Sequence, residues 1–112
     1  MVMLIGQVFK FSAAHKLSGN YGEPLHGHNY KLEITCKGKL NKEGKLQDTR
    51  TIKTIVQDIV LKKLHNSYLN DFFPQPTMEN VVRWIWKELI DLQPVKLRLW
   101  ENADSFVDYS EE

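Results

Sequence analysis

Apolar and polar positions alternate along the first third of this chain. Between Val8 and Ala14 the odd positions Phe9, Phe11 and Ala13 fall on one side, the period of a half-buried strand, and His15 continues that parity. Residues Lys16 to Leu25 carry Ser, Gly, Asn and Pro, which predicts a loop. From Tyr30 to Leu40 the alternation is cleaner. Tyr30, Leu32, Ile34 and Cys36 face one way, and Lys31, Glu33, Thr35 and Lys37 face the other. Asn41 to Gly44 reads as a turn.

The period then changes to that of a helix. Ile52, Ile55, Val56, Ile59 and Val60 form one apolar stripe, with Asp48 or Thr49 as the N-cap. Asn66 to Pro76 predicts a loop. Thr77 caps a second helix running from Met78 to about Leu92, with Val81, Val82, Ile85 and Leu89 inward, and Pro94 ends it. Val95, Leu97 and Leu99 alternate with Lys96, Arg98 and Trp100 in a third strand. A turn at Asn102-Ala103-Asp104 leads to a short last strand, Phe106 to Tyr109. The order β-β-α-α-β-β predicts an α+β fold, an antiparallel sheet with both helices on one face. No repeat, low-complexity segment or linker interrupts the 112 residues, so a single domain over 1–112 is expected.

Composition narrows the class. Apolar residues make up 42% of the chain, enough for a core and too many for a disordered segment. The net charge is +1 and both signs are scattered, so nothing points to nucleic acid or an anionic membrane as partner. No run approaches the ~20 apolar residues of a membrane span. The start, Met1-Val2-Met3-Leu4-Ile5, lacks a basic leader and a small-residue cleavage site. One cysteine leaves no partner for an internal disulfide and fits a reducing cytosol, so a cytoplasmic location is expected. Cys36 faces the core in mid-strand and reads as packing rather than as a nucleophile.

Against this background His26-Gly27-His28 stands out. Two imidazoles two residues apart on an extended segment point to the same side of the backbone, and they share the core-facing parity of Tyr30, Leu32 and Ile34. His15 continues the core-facing parity of the preceding strand. If the two strands pair as a hairpin, its loop end gathers all three rings. A lone inward histidine is usually structural, but three converging ones with no obvious fourth protein ligand match a catalytic zinc site, which keeps one position open. Gly27 is expected where the backbone passes close to that site. Glu101 shares the parity of Val95, Leu97 and Leu99, which puts a carboxylate at the end of an apolar strand face. It either accepts hydrogen bonds from an amino-substituted heterocycle, or the alternation ends before it and it is solvated. Glu23, in the loop before His26, is a candidate general base, and His65, after the first helix, a candidate acid–base group. Each has a plain alternative as a solvated side chain. Trp84 and Trp86 point different ways round the second helix, so one of them is open to cover by a partner subunit. Lys45, Arg50 and Lys53 offer charges that could meet a phosphate, but they read rather as a solvated cationic face.

The segments Phe11-Ser12-Ala13-Ala14-His15, Leu25-His26-Gly27-His28-Asn29-Tyr30, Pro76-Thr77-Met78-Glu79-Asn80 and Trp100-Glu101 together resemble the family of 6-pyruvoyl- and 6-carboxy-tetrahydropterin synthases, over essentially the whole chain. The resemblance implies the tunnelling fold, trimers whose sheets close into a barrel, and two trimers stacked as a homohexamer with sites between subunits. It implies zinc on His15, His26 and His28, a pterin substrate anchored by Glu101, and a pterin pocket lined around Thr77 and Glu79. Where relatives carry a catalytic cysteine, this chain has Gly22 or Asn20. The segment Glu23-Pro24-Leu25-His26-Gly27-His28 instead resembles the subgroup in which glutamate replaces that cysteine and which makes 6-hydroxymethyl-7,8-dihydropterin from 7,8-dihydroneopterin triphosphate. Relatives also carry an Asp-His pair. In the aligned stretch Leu64-His65-Asn66-Ser67-Tyr68-Leu69-Asn70, His65 stands for the aspartate and Asn66 for the histidine. Asparagine relays no proton at neutral pH, so His65 is the candidate to replace the missing member. The implied activity is a zinc-dependent pterin lyase. The alternatives are triphosphate elimination to a 6-pyruvoyl or 6-carboxy product, and a zinc-stabilised oligomer that binds pterin without turnover.

Overall fold

Strand β1 (Met3–Leu17) and strand β2 (Glu23–Gly38) form one long antiparallel hairpin. A computed structural model of the chain describes residues 3–19, 22–38 and 49–111. Both strands run further than the alternation predicts. Within the stretch Lys16 to Leu25, Lys16, Leu17 and Glu23 to Leu25 are strand, because Leu17 still pairs with Glu23 across an irregularity after His15, and the Gly22 N–H donates to the Gly19 carbonyl at 3.1 Å. Pro24, which has no N–H to give a ladder, sits in that irregular part. Leu40, the turn at Asn41–Gly44, Lys45 and Asp48 lie outside the described residues.

The helical stripe also differs from expectation. Helix α1 (Thr49–Val56) runs into a π-helical stretch, Gln57–Leu61, and then α2 (Lys62–Leu64). Ile52, Val56, Val60 and Leu64 are all fully buried, whereas Ile59 is exposed and Ile55 only partly covered. These four buried positions recur every fourth residue. At about 100° per residue an ordinary α-helix would carry the last of them about 120° away from the first. The wider winding of the π stretch keeps them on one line and turns Ile59 outward.

After α2 the chain contributes a two-residue strand, β3 (Ser67–Tyr68), parallel to β1 at Ala13 and Ala14. Local periodicity gives no sign of a strand this short. A 3₁₀ turn, Leu69–Asp71, precedes α3 (Met78–Glu88). Thr77 caps α3 as its sequence position predicts, accepting the Asn80 N–H at 3.2 Å. Val81, Val82, Ile85 and Trp86 are buried within α3 and Leu89 just after it. The α-helix stops at Glu88; a 3₁₀ turn, Ile90–Leu92, and Gln93 in the left-handed region (φ 52°) carry the chain to Pro94. Strand β4 (Pro94–Trp100) pairs with β2, and β5 (Phe106–Tyr109) with β4. Leu97 and Leu99 face the core, but Val95 is exposed. A register shift beside Thr35 sets Pro94 against Cys36 and gives Pro94 the inward place.

The sheet order is β3-β1-β2-β4-β5. Helices cover one face of it, and Phe9, Phe11, Tyr30, Leu32, Ile34, Leu97 and Leu99 from the strands join the helix stripes in one core cluster. Trp86 is in that core against Tyr109, and Trp84 packs on Phe73 with Lys63 over its ring, so both tryptophans find contacts within the chain. Cys36 is buried, and burial pushes its thiol pKa up, as expected for a packing residue. The opposite face of the sheet carries the other strand residues, among them Lys10, Ser12, Asn29 and Lys31.

Gly27 pairs with Ala14, and its missing side chain would meet only the Ala13 carbonyl oxygen, at an ordinary 3.6 Å. Close backbone approach therefore does not require glycine there. Gly27→Ala is expected to change unfolding free energy by no more than about 0.5 kcal/mol, whereas Leu32→Ala, at the fully buried centre of β2, costs about 2–5 kcal/mol. Urea denaturation of the two variants checks both, and a Gly27→Ala cost matching that of Leu32→Ala would contradict this reading of the hairpin.

Candidate metal centre

Register builds the site. His15 lies directly opposite His26 across the hairpin, and His28 lies opposite Ala13. All three rings leave on the core side, at the end where the helices no longer cover the sheet. Edge-to-face contacts hold them together, with ring centroids 4.6 to 4.9 Å apart. Tyr30 forms the floor: its ring stacks on Phe11 and meets His15 and His28 edge-on. Burial pushes the Tyr30 phenol pKa well above its usual value.

The tautomers follow from the hydrogen bonds. His15 Nδ1 lies 2.9 Å from the Pro76 carbonyl oxygen, and His26 Nδ1 lies 2.6 Å from that of Pro24. A carbonyl can only accept, so both neutral rings carry their proton on Nδ1 and present a bare Nε2. Those two Nε2 atoms face each other at 3.2 Å. The Glu23 carboxylate approaches His26 Nε2 to 3.2 Å. His28 Nε2 is buried without a hydrogen-bond partner, 3.0 Å from Glu101 Oε1. Burial, the larger influence, holds the His28 pKa below the ordinary imidazole value against the opposite pull of Glu101, so this ring favours its neutral form. The Nε2 lone pairs of His15 and His26 thus face each other, with the Glu23 and Glu101 carboxylates against the cluster. Three imidazoles with a carboxylate suit a borderline divalent metal. His15, His26, His28 and Glu101 offer ligand atoms within 4.8 Å of one another, so this group could hold a metal ion.

Glu101 follows the last residue of β4, so the strand does end before it, but its side chain is still largely covered. Its N–H donates to the Ser105 carbonyl, and Asn102 Oδ1 accepts from the N–H groups of Asp104 and Ser105. That turn fixes the carboxylate beside His28. Glu23 is more open and stands at the rim.

A loop locks His15 from behind, and sequence reasoning did not find it. The Asn70 carboxamide accepts from the Lys16 N–H and donates to the Lys16 carbonyl, both at 2.9 Å. The Gln75 carboxamide does the same for Ser18, at 3.2 and 3.0 Å. Two side chains therefore imitate a neighbouring strand along the end of β1. Asn80 donates to the Gln75 carbonyl at 2.8 Å, tying this loop to the capped start of α3. The loop delivers the Pro76 carbonyl that orients His15.

Other expected site residues fall elsewhere. Thr77 stands next to Pro76 with its hydroxyl engaged as the α3 cap, and Glu79 is exposed on the first turn of α3. His65 does not join the cage of its own chain. It follows α2, and its Nδ1 accepts the Ser12 backbone N–H at 3.1 Å at the sheet edge.

Asn70→Ala and Gln75→Ala are expected to weaken binding of a divalent transition metal about tenfold, because partners behind a ligand hold its orientation. Each also lowers stability by about 1–2 kcal/mol through its lost hydrogen bonds. Competition titration against a chelating indicator, beside thermal melts, checks this. Unchanged affinity with lowered stability would show that the clamp supports only the fold.

The family model described as 6-pyruvoyl tetrahydropterin synthase matches residues 4–112. A protein of Archaeoglobus fulgidus, provisionally named a 6-carboxy-5,6,7,8-tetrahydropterin synthase, is 36% identical over 95% of this chain and 94% of its own length. The dihydroneopterin monophosphate aldolase of Pyrococcus furiosus is 34% identical over 88% of this chain and 89% of its own. The solved 6-pyruvoyl tetrahydropterin synthase of Caenorhabditis elegans superposes with a TM-score of 0.87 at 20% identity, covering 100% of this chain and 97% of that one, which shows a shared fold. With family pattern, relatives and fold in agreement over nearly the whole length, this chain belongs to the 6-pyruvoyl tetrahydropterin synthase family.

Proposed function

We propose that the chain is a zinc-dependent pterin lyase that cleaves the side chain of 7,8-dihydroneopterin triphosphate to give 6-hydroxymethyl-7,8-dihydropterin. The observation that carries this reading is a carboxylate, Glu23, at the rim of a cage of bare imidazole nitrogens. The name of the Pyrococcus furiosus relative, an aldolase for a dihydroneopterin phosphate, supports carbon–carbon cleavage.

Zinc, held by His15, His26 and His28, supplies a Lewis acid that makes a neighbouring hydroxyl more acidic. The rest falls to the chain's own groups. Glu101 accepts hydrogen bonds from the amino edge of the pterin and holds the side chain over the cage. Thr77 and Glu79, at the start of α3, line the pterin pocket, a placement supported by the contact of neighbouring Pro76 with His15. Glu23 takes the proton from the hydroxyl on the second side-chain carbon. The bond between the first and second carbons then breaks. The second carbon leaves as an aldehyde bearing the triphosphate, and its electron pair passes to the first carbon, where the conjugated ring stabilises it. Glu23 returns the proton there, and the hydroxymethyl group remains. With Nδ1 of His65 engaged on Ser12, we assign no proton transfer to His65 within its own chain.

The resemblance further supports a cytoplasmic homohexamer with sites between subunits. Among the described residues the outer edge of β1 is open from Met3 to Phe11, since β3, His65, Asn70 and Gln75 take it from Ser12 to Ser18, and the outer edge of β5 is open as well. Edge pairing between copies would close the sheets into a barrel.

A second reading, elimination of triphosphate to a 6-carboxy or 6-pyruvoyl product, is favoured by the names of the Archaeoglobus fulgidus relative and of a Haemophilus influenzae relative, 30% identical over 96% of this chain. Incubating zinc-loaded protein with 7,8-dihydroneopterin triphosphate and identifying the product by mass spectrometry separates the two. A hydroxymethyl product is expected; a carboxylated or three-carbon product would give the second reading, and unchanged substrate would leave a binding protein. Glu23→Gln is expected to lower turnover about 10²–10⁴-fold while metal stays bound, the range for a lost general base.

A further inference from the structure

A cavity of about 410 Å³ opens on the sheet face that the helices leave bare. Lys10, Phe11, Ser12, Asn29, Tyr30, Lys31 and His65 line it. Lys10 and Lys31 lie directly opposite each other across β1 and β2. Like charges in direct cross-strand register destabilise a sheet. Here nothing nearby relieves them: among the described residues neither lysine pairs with a carboxylate. Glu33, the next carboxylate along β2, stands opposite Arg98, and Arg98 itself is bound to Asp108. Lys31 is held instead by the Trp100 ring, with Nζ 4.5 Å from its centroid, a contact that leaves the ammonium protons free to donate.

The remaining polar side chains are set the same way. His65 Nδ1 accepts the Ser12 N–H, so the neutral ring carries its proton on Nε2. Asn29 Oδ1 accepts the Ser12 hydroxyl at 2.6 Å, which leaves the Asn29 amide N–H₂ to donate. Two lysines, a histidine with its ring N–H free and an asparagine with its carboxamide N–H₂ free thus line one cavity, with no carboxylate among them. Where the histidine cage converges acceptors, this cavity converges donors.

We propose that the Lys10–Lys31–His65 cavity binds a phosphate group, with Asn29 as a further donor. Phosphate takes several charge-assisted hydrogen bonds at once and neutralises the lysine pair. The cavity exceeds the size of one phosphate, so the group comes either as a free anion or as the ester end of a larger ligand. The proposal does not require the metal reading of the cage.

Isothermal titration of the intact protein with inorganic phosphate and tripolyphosphate tests it, with the histidine ring signals followed by NMR. Both anions are expected to bind with salt-dependent affinity and to move the His65 Nε2–H resonance. Lys10→Gln and Lys31→Gln are each expected to weaken binding about tenfold or more, as loss of one charge-assisted contact should. Lys10→Arg is expected to keep it. Lys53→Gln removes an exposed charge on α1, away from the cavity, and is expected to leave binding unchanged. No binding of either anion, a static His65 resonance, or equal losses from Lys53→Gln and Lys10→Gln would overturn the proposal. Titration with 7,8-dihydroneopterin and its triphosphate then identifies the source, both outcomes supporting the site. Triphosphate affinity above that of tripolyphosphate assigns the group to an ester, and equal affinity assigns it to a free anion.

Discussion

The pairing register of β1 and β2 is the constraint on which the rest of this molecule depends. It sets His15 opposite His26 and leaves His28 one pair further along on the same side. Side chains along a strand have a period of two, so a slip of one residue would turn both histidines of β2 to the other face. The core prevents that slip, because Tyr30, Leu32 and Ile34 share their parity and are buried. Metal-ligand geometry is thus fixed by the same apolar pattern that folds the sheet. Its fine orientation comes from carbonyl groups, Pro76 behind His15 and Pro24 behind His26, which settle where each proton sits.

Two sites of opposite character result. The cage collects lone pairs at the uncovered end of the core face, and the lysine cavity collects protons on the bare face. Each is unfavourable by itself and becomes favourable with a counter-ion, a cation in one and an oxyanion in the other. A fold of this size tolerates such clusters because the buried cluster beneath the helices carries its stability.

Much of this was legible in the chain. Alternation gave both long strands and their inward faces, helical spacing gave two helices, and the position of Thr77 gave a cap that the structure bears out. The convergence of His15, His26 and His28 follows from parity once the two strands pair as a hairpin. Parity leaves Glu101 open; the turn that tucks it against His28 depends on Asn102 and Ser105, whose hydrogen bonds no periodicity encodes. Elsewhere local patterns misled for physical reasons. The π-helical stretch changed the stripe that Ile59 was expected to join, and a register shift gave the inward place of Val95 to Pro94. Asn70 and Gln75 look like loop residues in sequence, and only contacts across more than fifty residues show them gripping the end of β1. His65 illustrates the same limit, since its partner is the backbone of Ser12.

The central claim is that the three imidazoles form one ligand set. X-ray absorption at the zinc K-edge, on protein reconstituted with one equivalent of zinc, tests it most directly. The account predicts a first shell containing three imidazole nitrogens at ~2.0–2.1 Å. A shell of water oxygens alone, or one unchanged in His28→Ala, would contradict it.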